Sequence, residues 1–130
     1  MKPWSHLLNA ARDPSGTTAV ELALVLPAFI LMILGGMATA SLGFAAASLN
    51  FAVEDAARCA SVRTTVCTSA AAIRTYAEAH YSGPVISPVF TYSTAGCGHT
   101  VSATGTFAFN VIPQLMNVPI TATACYPQTS

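Results

Sequence analysis

Charged side chains are what this chain has least of. Five Lys or Arg and five Asp or Glu make up 8 % of 130 residues, against about 25 % in an ordinary soluble domain. That deficit excludes a freely diffusing cytosolic protein. The formal net charge is zero and the sole lysine is Lys2, so there is no basic footprint for nucleic acid and no Lys/Arg block for an anionic membrane surface. A phosphate-cradling Gly loop with its lysine is absent as well. Beyond the apolar stretch the carboxylates are Glu54, Asp55 and Glu78; the first two are adjacent and cannot face each other across a substrate, which removes paired-acid chemistry. Gly96-Cys97-Gly98-His99 sets a thiol near an imidazole. No second Cys-x-x-Cys or His-x-x-x-His element completes a zinc set, and no carboxylate stands nearby to orient His99. His80 and His99 therefore read as surface or partner-contact residues. Together these absences predict a non-enzyme with no metal, no cofactor, no nucleic acid and no small-molecule substrate.

What is abundant is apolar sequence, 53 % of the chain. From Thr17 to Asn50 the single ionisable side chain is Glu21. Leu22 to Leu49 exceeds the ~20 apolar residues that cross a hydrocarbon core. It also exceeds the roughly 7–15 apolar residues of a cleaved secretory signal, although Ala45-Ala46-Ala47 imitates a signal-peptidase site. The reading is a transmembrane helix over 17–49. Lys2 and Arg12, offset by Asp13, precede it; Glu54 and Asp55, then Arg58 and Arg63, follow it. This slight positive bias places the N-terminus in the cytoplasm. Cys59, Cys67, Cys97 and Cys125 all lie after the span, an even count that predicts an oxidising compartment and two disulfides. Four buried reduced thiols are the alternative.

Glu21 is the anomaly, because a carboxylate in a bilayer costs on the order of 3 kcal/mol or more. One explanation is a boundary position that reaches the headgroups. Another comes from Gly16, which ends a polar leader five residues earlier. Cleavage after Gly16 would give Thr17 a new ammonium group one helical turn from Glu21, and a compensated pair removes most of the burial penalty.

The run Ser15-Gly16-Thr17-Thr18-Ala19-Val20-Glu21-Leu22-Ala23-Leu24-Val25-Leu26-Pro27 resembles the N-terminal signature of the TadE-like family. These are pseudopilins of the tight-adherence (Tad) pilus, a branch of the type IV pilus machinery. The shared pattern is a glycine, small residues, Val-Glu, an aliphatic run and Leu-Pro; Leu22 stands where many members have an aromatic. Ala52-Val53-Glu54-Asp55-Ala56-Ala57-Arg58 also resembles the family, whose helix leaves the membrane through an Ala/Arg-rich segment. The resemblance implies processing by a prepilin peptidase between Gly16 and Thr17 and retention of Glu21 for assembly. Two further details fit a helix that packs on others. Pro27 bends a helix and is tolerated in membranes, and Gly36, Ala40, Gly43 and Ala47 form a small-residue stripe.

Past the span, residues 50–60 read as a continuation of the helix, with Glu54 and Arg58 at i and i+4. Ser69 reads as the N-cap of a helix over 70–81, in which Ile73, Tyr76, Ala77 and His80 share one face, Arg74 and Glu78 pair, and Gly83-Pro84 ends it. Strands follow over 89–93, 101–111 and 120–126, alternating apolar and Thr/Ser positions and separated by short links. The expected fold is α+β and pilin-like: a long N-terminal transmembrane helix, a short helix and a small antiparallel three-stranded sheet. Its domains are a leader over 1–16, the span over 17–49, the continuation over 50–60 and an extracytoplasmic domain over 61–130. So small a domain needs staples. Of three possible connectivities, Cys59 with Cys67 and Cys97 with Cys125 are favoured, the first closing a loop at the helix end and the second tying strand ends.

The function expected is that of a minor pilin-like subunit or assembly factor of a Tad-type adhesion pilus, held in the bacterial inner membrane with its C-terminal domain periplasmic. Its partners would be the membrane, the prepilin peptidase, other pilin-like subunits and the Tad inner-membrane platform. An unprocessed single-pass protein that scaffolds a secretion complex is the main alternative. A secreted adhesin with an overlong signal is a third.

Overall fold

A computed structural model describes residues 14–84, 86–109 and 116–128. The leader up to Asp13 and the end of the second expected strand at Val111 lie outside the described residues. The chain divides into two compact units, Met1–Met37 and Ala38–Ser130.

Helix α1 is Pro14–Val62 and contributes to both units. In the first unit its side chains from Thr18 to Leu34 are exposed. This helix is long and apolar enough to cross a membrane, and exposed side chains so apolar suit a non-aqueous neighbour. Pro27 lies inside the helix without ending it.

The second unit is built around the remainder of α1. Ala45, Leu49, Ala52, Val53, Ala56, Ala57 and Ala60 are buried, and their spacing places them on one face of a 3.6-residue helix. Ala45, Ser48 and Leu49, at the end of the expected span, are buried by the chain itself. Small apolar side chains suit lipid and protein alike, so composition cannot tell the two apart. The Ser48 hydroxyl accepts from the Ser82 amide at 3.0 Å.

Helix α2 is Ala70–His80. Ser69 caps it, its hydroxyl accepting from the Ala72 amide at 3.2 Å. Ile73 and Ala77, one turn apart, enter the core. The helix stops at His80, and the Tyr81 amide bonds back to the Ala77 and Glu78 carbonyls.

Three strands follow, β1 Val89–Ala95, β2 Gly98–Phe109 and β3 Met116–Tyr126. They form an antiparallel sheet in the order β1-β2-β3. The fold is α+β, a long apolar helix followed by a short helix and a three-stranded antiparallel sheet. Phe90, Val101, Ala103, Ile120 and Ala122 face inward, and Thr91, Thr104, Thr121 and Thr123 face outward. This alternation is that of a sheet with one wet face. Gly98 closes the β1–β2 turn at φ 131°; a Cβ there would collide with the Tyr126 carbonyl oxygen and come within 2.7 Å of the Gln128 amide nitrogen. Pro119 pairs with Thr106 on the edge strand β3, the kind of strand in which a ring without an N–H is tolerated. Disulfides join Cys59 to Cys67 and Cys97 to Cys125.

Candidate functional site

Gly16 and Thr17 lie near the start of α1. Glu21 follows Thr17 by four residues, about 6 Å along a helix, and its side chain is exposed. From Thr17 to Val53 no other ionisable side chain occurs. Gly36, Ala40, Gly43 and Ala47 are exposed as well, and a Cβ added at Gly36 or Gly43 would meet nothing within 4 Å. Each is described within its own unit. The stripe is therefore open at these positions to an approaching backbone.

The second unit holds a polar cluster that sequence reasoning missed. The Tyr76 hydroxyl donates to Asp55 Oδ2 at 2.8 Å and accepts from Arg63 Nη1 at 3.1 Å. His80 stacks on Tyr76 with ring centroids 4.0 Å apart. Its Nδ1 lies 2.8 Å from the Tyr76 carbonyl oxygen; a carbonyl only accepts, so Nδ1 carries the hydrogen. Nε2 then faces Asp55 Oδ2 at 3.7 Å. The Tyr76 pKa is raised above its ordinary 10.0, first because its hydroxyl donates to Asp55, then by burial and the Asp55 charge, with Arg63 opposing. Burial alone raises Tyr81.

His80 is thus held by its own chain, and so is His99, whose Nδ1 lies 2.6 Å from the Tyr92 hydroxyl. Both remain partly exposed. The signal that would have found the cluster was present: Tyr76 and His80 sit at i and i+4 on one face of a short helix. What the sequence did not carry was which α1 residue that face would meet. Neither expected helical pair forms an ion pair among the described residues. Arg74 instead bonds its Nε to the Ala70 carbonyl at 3.3 Å.

A cleft of about 460 Å³ is lined by Ser61, Ser69, Tyr92 and His99 among others. Several of its polar groups are engaged inside the chain: Ser61 donates to the Pro127 carbonyl at 2.7 Å, Ser69 caps α2, and Tyr92 bonds His99. Among the described residues no group of three or more His, Cys, Asp or Glu side chains could hold a metal ion.

On α1, small-residue positions and one acid in an uncharged run face outward. Residues 16–58 match the model of the TadE-like protein family. Over this stretch the chain is similar to TadE-like proteins. No curated protein and no solved structure matches the chain. The family match begins at Gly16 and ends at Arg58, taking in Glu21, Pro27 and the whole stripe. The match covers the helix and none of the sheet, and it says what that segment is similar to.

Proposed function

We propose that this chain is a minor pilin-like subunit or assembly factor of a Tad-type adhesion pilus, cleaved by a prepilin peptidase between Gly16 and Thr17. The observation that carries the reading is Glu21, an exposed acid in a lipid-compatible helix, one turn past the glycine at which the family match starts. An acid so placed calls for a partner, and the ammonium group of a new Thr17 terminus, on the same chain or a neighbour, supplies one. The leader lies in the cytoplasm, the helix crosses the inner membrane, and the disulfide-stapled domain stands in the periplasm, where oxidised cysteines persist. The Tad inner-membrane platform would take up the processed chain, with Pro27 and the Gly36–Ala47 stripe seating its helix among others.

The test is the mass of the membrane-extracted protein. The expected mature N-terminus is Thr17, Gly16→Asp should leave the leader attached, and Glu21→Ala should be processed but fail to enter assemblies. A chain that keeps its first sixteen residues in wild-type cells refutes the processing and leaves the unprocessed scaffold.

A further inference from the structure

In the second unit α1 presents two faces. One is buried by the domain at Ala45, Leu49, Ala52, Val53, Ala56, Ala57 and Ala60. The opposite one carries Phe44, Ala47, Phe51, Glu54, Arg58 and Val62, all exposed and spaced by three or four residues, hence aligned along the helix. Phe51 is 59 % exposed and Phe44 55 %, large rings for a helix that has a domain to hide them in. Beside them opens a cleft of about 200 Å³ lined by Phe51, Glu54, Asp55, Arg58 and Tyr126.

The charges on this face identify its occupant. Glu54 and Arg58 stand one turn apart, and among the described residues neither forms an ion pair within the chain. Copies threaded through one bilayer in the same direction lie parallel. If one copy is displaced outward by four residues, about 6 Å, its Glu54 comes level with Arg58 of the copy beneath. The same displacement places Phe51 of the lower copy beside Ala47 of the upper, a large residue against a small one. Without displacement, Glu54 meets Glu54 and Arg58 meets Arg58, and like charges repel. We infer that this face binds a second copy of the same chain, in parallel and staggered by one helical turn, with Glu54 of one copy paired to Arg58 of the other. The inference rests on the membrane-spanning reading but not on cleavage.

The experiment is resonance energy transfer between labelled full-length chains in lipid nanodiscs, with resistance to carbonate extraction checked in parallel. Glu54→Arg puts two arginines at the contact and Arg58→Glu puts two glutamates there, so each variant alone should associate more weakly, on the order of fivefold. Mixing the two single variants should restore association, because the arginine introduced in one chain then meets the glutamate introduced in the other, while the native pair survives in the reverse order. The double variant E54R/R58E should also recover. All these residues are exposed, so the domain should fold throughout, and Phe51→Ala gives an independent weakening without a charge change. Single reversals without effect, or mixtures no better than either variant alone, overturn the stagger. A wild-type chain that resists carbonate yet remains monomeric overturns self-association, whereas a chain washed out by carbonate refutes the membrane reading itself.

Discussion

Glu54 and Asp55 are neighbours in sequence with opposite surroundings. Glu54 is exposed, while Asp55 is tied to Tyr76 and faces His80. A helix turns by about 100° between successive residues, enough to move one carboxylate from solvent to a contact with α2. That divergence was not legible beforehand, because the i, i+4 rule sees only one helix at a time. Tyr76→Phe should lower the stability of the domain by about 1 kcal/mol, the ordinary worth of a hydrogen bond to a charged acceptor in a half-exposed place, read by urea unfolding in detergent. Gly98→Ala should cost more, about 1–3 kcal/mol, because the residue sits in the left-handed half of backbone space and its new methyl would collide with the carbonyl of Tyr126. The Gly96-Cys97-Gly98 turn was readable as a turn. The second reason for glycine, the closeness of the chain just past β3, needed the fold.

Among the elements, α1 could be read from the length of its apolar run, β1 from its β-rich composition, and α2, β2 and β3 from periodicity, since period 3.6 and period 2 are each set by one-sided burial. The edges shifted where pairing extends a strand beyond its apolar residues: β1 runs on to Ala95 and β3 starts back at Met116, in both cases opposite residues of β2. The end of the membrane segment next to the domain was less legible, and Leu49 offers a test of it. A leucine with no exposed surface in a protein core should cost about 2–5 kcal/mol when cut to alanine; one facing lipid should cost much less. Leu49→Ala should therefore lower the unfolding midpoint of the domain, while Leu31→Ala, at 59 % exposure, should not. The Cys97–Cys125 bond spans 28 residues of sequence and ties the β1–β2 turn to the end of β3. Its removal by Cys97→Ala with Cys125→Ala should cost about 3–4 kcal/mol on the chain-entropy account, seen as a loss of accumulation and of protease resistance. Ser69→Ala removes a cap worth about 1 kcal/mol and should fray α2 first.

For the molecule as a whole, alkaline pH is the informative variable. Tyr76 and Tyr81 both have raised pKa values, so the folded state holds their protons more tightly than the unfolded chain does. The stability this supplies is complete below the ordinary value of 10.0 and declines as pH rises through the folded-state values. Thermal unfolding followed from about pH 8 to pH 12 should show that loss, and Tyr76→Phe should flatten it.

Pro119 carries one more consequence. β3 is an outer strand, and strands of that kind invite the main chain of a neighbour to continue the ladder. A residue without an amide hydrogen interrupts that rim near its middle, so a foreign strand laid along it would find a missing rung. Crowded copies, concentrated in the plane of a bilayer, are thereby discouraged from knitting together sheet to sheet into insoluble tangles.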